Sequence, residues 1–509
     1  MKRFAVGIVT VLSFATAAPA QDALDVARSH REAHGAAILA MFRDLLAIPN
    51  YAFDTENIQR NAQTIAAEFE KRGAIMELLT LPRHASVPPL IYGAIDVPGA
   101  KRTIGIYVHY DGQPVDESRW TTPPWAPALR TRALGDGGEA RPFPGAGEAI
   151  DPEWRIYARG AGDDKAPLAA LLAALDALRA ADIAITSNIR FMFEGEEEVG
   201  SLHLREYFAH YGEKFSEVDA WLICDGPVHQ SRRPQLVFGV RGVTGLDITV
   251  YGATHELHSG HYGNFAPNPA MMLAQLLASM KDEQGNVLVE GYYDTVEPLS
   301  ERERAALAAA PDIDGQLRRE FGLASSEAGN APYLERLLLP SLNIKGLAGG
   351  AAGPQSRNVI PTEATASLDL RLVKGNDPVH MQELVEAHIA RQGYFIVREA
   401  PDPRTRFAHE KIALVSRRSG YPAARSSMDG PLVEPLRRAA ARASGQDVVM
   451  MPSLGGSLPL YLFNEMLGTP VIIVPIANHD DNQHAPDENL RIANLWYGID
   501  LYGLILTME

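Results

Sequence analysis

Two imidazoles and a set of carboxylates stand in this sequence where chemistry is possible. His109-Tyr110-Asp111 closes an apolar run, and its i, i+2 spacing turns His109 and Asp111 to one face of an extended segment, where the carboxylate could orient the imidazole. Asp163 and Asp164 fall between a glycine-rich turn, Arg159-Gly160-Ala161-Gly162, and a helix start at Lys165. Glu194-Gly195-Glu196-Glu197-Glu198 packs four carboxylates into five residues after a second apolar run, Asp225 follows a third, and His484 lies in Asn482-Gln483-His484-Ala485-Pro486-Asp487-Glu488. Taken singly, each is also what a core histidine, a helix N-cap or a solvated turn would present. Together they form a ligand set suited to zinc, with manganese or cobalt also accommodated. Carboxylates crowded this close to a core are more easily tolerated with cations among them. His255-Glu256-Leu257-His258 is not the helical zinc-protease signature, which needs its second His where Ser259 stands.

The elements that must position these groups are legible from periodicity. Residues 103–108, 189–193, 220–224 and 471–474 are short apolar runs rich in β-branched and aromatic side chains, the pattern of buried strands. Residues 167–180 between them carry leucines three or four apart, the pattern of a helix. Alternation of this kind predicts an α/β domain with a mainly parallel sheet, whose ligand crevice lies beyond the carboxyl ends of the strands, where the polar residues above fall. Residues 242–398 read differently, with alternating segments at 246–250 and 366–372 and helices near 300–310 and 379–391, and predict a separate α+β insert. The expected catalytic domain is then split into 21–241 and 399–509. Residues 119–147 hold ten Gly and Pro with no apolar period and predict a long surface loop.

Composition bounds the partners. The 509 residues are 46% hydrophobic and 22% charged, an ordinary globular balance with room for two domains. The formal charge of −16 has the wrong sign for a nucleic acid or an anionic membrane surface, so neither is an expected partner. The single Cys224 excludes an internal disulfide and a multi-thiolate zinc site, and is expected to be packed core. Lys2 and Arg3, an apolar run from Phe4 to Phe14, and Ala18-Pro19-Ala20 make up the three parts of a secretory signal peptide over residues 1–20. That run is too short to span a membrane, and no later stretch approaches the ~20 apolar residues a span needs. A soluble, exported protein is expected, periplasmic in a Gram-negative source.

Several of these segments, taken with others, resemble a known family. His109-Tyr110-Asp111-Gly112-Gln113-Pro114, Trp120, residues 159–165, residues 194–201, Leu257-His258-Ser259-Gly260, Asn358-Val359-Ile360-Pro361, Arg371-Leu372-Val373 and Gly455-Gly456-Ser457-Leu458-Pro459 look like the di-zinc metallopeptidases that include carnosinase, cytosolic nonspecific dipeptidase and glutamate carboxypeptidase. The likeness runs in order from about residue 35 to the C-terminus and is nearest to the carnosinase-like dipeptidase branch. The resemblance implies two Zn2+ ions, with Mn2+ or Co2+ as alternatives: His109 and Asp225 on one, Glu198 and His484 on the other, Asp163 bridging. It implies Glu197 as general base, Asp111 supporting the ligands from behind, and a cis bond between Asp163 and Asp164. It makes 242–398 a lid through which subunits pair as a homodimer. His258 would stabilise the oxyanion, often in the partner subunit's site, and Arg371 would grip a free carboxylate with Asn358, Gly456 and Ser457 nearby.

Departures from the pattern are Lys374 after Arg-Leu-Val, Gly112, Asn358 and the length of 119–147. The implied reaction is hydrolysis of a dipeptide, or of the C-terminal residue of a short peptide. An N-acyl amino acid hydrolase is the nearest alternative, and a non-catalytic peptide-binding protein a remoter one.

Overall fold

The four β-branched and aromatic runs form the middle of an eight-stranded mixed sheet. In the computed structural model, which describes residues 22–84 and 86–508, the strand order is Ile75–Leu79, Leu90–Ile95, Asn188–Glu194, Thr103–His109, Ala220–Ile223, Val471–Ile473, Gln235–Val237, Val449–Met451. The expected leader at 1–20 lies outside the described residues. Thr103–His109 runs parallel to both Asn188–Glu194 and Ala220–Ile223, and the latter runs parallel to Val471–Ile473. The sheet is therefore mainly parallel at its centre and antiparallel at the Ile75–Leu79 edge. The central strands are apolar throughout because both faces are covered.

One face packs on helices Ala23–Leu46, Lys165–Ala180, Val433–Ser444 and Ile492–Leu506. Lys165–Ala180 is buried almost all round, since its alanines let Ala23–Leu46 and Ile492–Leu506 close on either side. The other face is aromatic, with Tyr107, Phe208, Phe215, Trp221 and Phe463 in mutual contact. Gly105 lies under Trp221, where a Cβ would stand 2.4 Å from the indole.

A second sheet, with its own core, is the expected insert. Its order is Ser341–Ala348, Glu363–Leu372, Gly242–Tyr251, Ile412–Tyr421, Phe395–Val397, antiparallel except for the last pair. Alternate residues of Glu363–Leu372 are buried beneath helices Pro269–Ala278 and Pro378–Arg391, which explains the period-two pattern. Glu301–Ala309 begins with a capping box between Ser300 and Glu303. The second sheet extends beyond residue 398, the expected end of the insert. Ile412–Tyr421 pairs with Gly242–Tyr251, and its apolar start and arginine-rich end lack the alternation that marks the other lid strands.

Residues 119–147 are not a bare loop either. Ala128–Arg130 and Ala140–Arg141 join Arg155–Tyr157 and Asn489–Arg491 in a four-stranded sheet. Strands of two and three residues are too short to show a period among so many glycines and prolines. Among the described residues, no helix is long and apolar enough to cross a membrane.

Candidate metal centre

Three adjacent parallel strands deliver their polar ends to one edge. His109 is the last residue of Thr103–His109 and stands in register with Glu194, the last of Asn188–Glu194. Asp225 follows Ala220–Ile223 by two residues. Glu197 and Glu198 begin the short turn after Glu194, and Gly195 allows that turn because a Cβ there would meet the Tyr110 ring at 2.6 Å. Asp163 comes from the turn before Lys165–Ala180, through a cis bond to Asp164.

The side chains converge on Asp163. Its Oδ1 lies 2.8 Å from His109 Nε2, and its Oδ2 lies 3.1 Å from His484 Nε2. His484 Nε2 is also 3.1 Å from Glu198 Oε2, and His109 Nε2 is 3.9 Å from Asp225 Oδ2. Two groups of potential ligand atoms result, His109 with Asp163 and Asp225, and Asp163 with Glu198 and His484; they share one carboxylate. Glu197 Oε2 is 3.9 Å from His109 Nε2, and among the described residues its carboxylate accepts no hydrogen bond. Asp111 stands behind His109, its Oδ1 3.4 Å from Nδ1, and it accepts from the backbone N–H of Glu197 at 3.2 Å and of Glu198 at 3.0 Å. One buried carboxylate thus braces both the imidazole and the acidic turn.

The electrostatics are those of crowded, buried acids. Burial, with Asp163 adding to it, pushes the Asp225 carboxyl up to about 7. Burial, opposed by His109 and reinforced by Asp225 and Glu198, pushes Glu197 well above the usual carboxylate range. His484 is raised to about 10 by its bonds to Asp163 and Glu198. His109 is raised too: burial opposes it, and Asp111 and Asp163 prevail. Glu198 Oε1 and Asp225 Oδ1 are buried without a hydrogen-bond partner among the described residues. Buried carboxylates with unsatisfied oxygens, beside two imidazoles, fit divalent cations: a cation would hold the acids ionised and occupy their free lone pairs.

Three supports were not singled out in the sequence. Gln113 Nε2 donates to Glu198 Oε2 at 2.8 Å, and Gln483 Nε2 to Asp163 Oδ2 at 3.0 Å. Glu488, fully buried, pairs with Arg159 at 2.6 Å and accepts from the backbone N–H groups of Gly160, Gly162 and Asp163 at 2.8–3.1 Å, so it moulds the turn that carries Asp163. Its place four residues after His484 was the available signal.

The remaining expected residues fall into two groups. Arg371 Nη1 donates to Ser457 Oγ at 2.8 Å, and Ser457 O accepts from Tyr421 Oη at 2.9 Å. Burial, increased by Glu197 and offset by Arg371, pushes the Tyr421 phenol up to about 12, so Arg371 and Glu197 both act on the same ring. Gly456 is exposed beside Ser457. His258 ends the strand Leu257–His258 and Asn358 precedes its partner strand Val359–Ile360; both are exposed, and Ser259 N donates to Asn358 O. Among the described residues, neither side chain bonds to the acidic cluster.

A mainly parallel sheet, a separate antiparallel lid and two potential ligand groups sharing a carboxylate at the sheet's carboxyl edge are the arrangement expected of a metallopeptidase. The chain belongs to peptidase family M20/M25/M40, whose family model matches residues 105–508, and falls in its carnosinase and Cys-Gly dipeptidase branch. It is 26% identical to the Cys-Gly metallodipeptidase dug1 of Schizosaccharomyces pombe over 90% of this chain and 92% of that one. It is 27% identical to the human Beta-Ala-His dipeptidase over 82% and 76%. Among solved structures, the M20 family metallo-carboxypeptidase Sso-CP2 from Sulfolobus solfataricus superposes with a TM-score of 0.72 at 27% identity, covering 92% of this chain and 98% of that one.

Proposed function

We propose that this chain is an exported metallodipeptidase that hydrolyses the peptide bond of dipeptides, or releases the C-terminal residue of short peptides, with two Zn2+ ions bound. The observation that carries this reading is the shared Asp163 carboxylate, each oxygen of which faces a different imidazole within 3.1 Å. Names of relatives that act on Cys-Gly and β-Ala-His support the choice of dipeptides.

His109 and Asp225 would hold one ion, Glu198 and His484 the other, with Asp163 between. Bound divalent ions supply Lewis acidity and bring the pKa of a water toward neutrality; Mn2+ or Co2+ would serve as well. Glu197, held by its backbone bond to Asp111, takes the proton from the attacking water and passes it to the leaving nitrogen. His258, with Asn358 beside it, donates to the developing oxyanion, and Arg371 binds the substrate's free carboxylate, oriented by Ser457 with Gly456 alongside. Glu197→Gln should lower dipeptide turnover by about 10²–10⁴-fold while bound metal stays constant. Unchanged turnover, or an N-acylated amino acid cleaved in preference to the matching dipeptide, would overturn the assignment.

Export rests on the residue pattern of 1–20. N-terminal sequencing of the periplasmic protein should begin at Gln21, and an intact Met1 would contradict it. Pairing as a homodimer through the lid is supported by its edge strand Ser341–Ala348, which leaves Ile344 and Leu347 exposed. Sedimentation should show a two-chain species, and a monomer at working concentration would contradict it.

A further inference from the structure

The loop that carries His484 turns three times through the left-handed region. Asn482, His484 and Asp487 lie there at φ of 60°, 61° and 61°, a region that Asn, Asp and His enter more readily than other side-chain-bearing residues. Bonds within the loop run from Asn482 Nδ2 to Asp487 O at 3.2 Å and from Gln483 N to Asp481 Oδ1 at 2.9 Å. Ala485 N donates to Asn482 O at 2.9 Å, and Asn489 Nδ2 donates to Asp481 O and Asp487 O, each at 3.2 Å; a further hold comes from residues 120–124. Thr121 donates twice to the Asp487 carboxylate, from its backbone N–H and from its hydroxyl, each at 2.8 Å. One residue earlier, the Trp120 ring lies 5.2 Å from the Arg159 guanidinium, and Arg159 pairs with Glu488. Pro124 O accepts from Arg159 N at 3.1 Å. Of two consecutive residues, Thr121 thus bonds Asp487 directly, and Trp120 touches the arginine that pairs with Glu488. That segment is itself tied down, because Ala128–Arg130 and Asn489–Arg491 flank the same strand, Arg155–Tyr157.

We propose that residues 119–147 act as a clamp on the second metal position, with Thr121 as a positioning residue that works through Asp487 to set how tightly Asp163, Glu198 and His484 hold their ion. The inference rests on the dinuclear reading above. His109 and Asp225 follow sheet strands and do not lean on this loop, and Thr121 bonds to Asp487 rather than to the turn that carries Asp163, so its effect falls on the position held by His484.

Calorimetric titration of the chelator-stripped full chain with Zn2+ separates the possibilities. The native protein should take up two ions. Thr121→Val and Asp487→Ala should leave one affinity unchanged and weaken the other by about 10-fold, the lower end of the range for partners bonded directly to a ligand, since Thr121 acts one contact further out. Thr121→Ser, which keeps both donors, should restore it. In an Asp225→Asn background, which disables the first position, the remaining ion should show the same weakening on adding Thr121→Val. Unchanged affinities in both variants, equal weakening of both ions, or a serine variant as weak as the valine one would overturn the clamp. Fewer than two ions on the native protein would overturn the dinuclear reading, and the clamp with it.

Discussion

At the scale of residues, the groups that were legible are those whose chemistry is rare beside a core: His109, Asp163, the Glu194–Glu198 acids, Asp225 and His484 all sit just past a strand or turn where polar groups need a reason. The structure brings His109, Asp163, Asp225, Glu198 and His484 together as two groups that share Asp163. The amides and the buried acid that support them were not singled out, because Gln113 and Gln483 have no spacing of their own, Glu488 offers only its place four residues after His484, and all three act on partners far away in sequence. Glu488 carries a stability prediction. Glu488→Ala leaves the buried Arg159 guanidinium without its partner and three backbone N–H groups without an acceptor. Breaking such a pair costs about 3–5 kcal/mol, which a urea midpoint at constant m-value will report. A loss below about 1 kcal/mol would show the pair to be dispensable.

At the scale of elements, periodicity carried the central strands, the Lys165–Ala180 helix and the alternating lid strands, since those are fully or half buried. It missed Ile412–Tyr421, which starts apolar and ends in arginines, and the two short strands within 119–147. The arginine-rich end has a role in the lid. Glu386 on Pro378–Arg391 accepts paired bonds from both Arg398 and Arg417, at 2.7–2.9 Å. Burial alone would raise its pKa, but the two guanidiniums prevail and bring it from 4.5 to about 2. A carboxyl lowered on folding stabilises the protein above its unfolded pKa, and that stabilisation is lost as pH falls through the folded one. The native lid should therefore lose stability relative to Glu386→Gln between about pH 4.5 and 2, read from urea midpoints across that window. A constant difference between the two proteins would contradict the linkage.

At the scale of the whole molecule, the mainly parallel sheet supplies a rigid edge that carries His109, Glu197, Glu198 and Asp225. Asp163 and His484 come from turns braced by Glu488 and by residues 119–147. That division of labour explains why fold and family were readable from ordered motifs, whereas the four-stranded sheet beside the site was not: it joins strands separated by more than 300 residues. The central claim is that Asp163 bridges two cations. An anomalous difference map from crystals grown with zinc measures this directly. Two peaks per chain are expected, one between Asp163, His109 and Asp225 and the other between Asp163, Glu198 and His484. A single peak, or density away from Asp163, would contradict it.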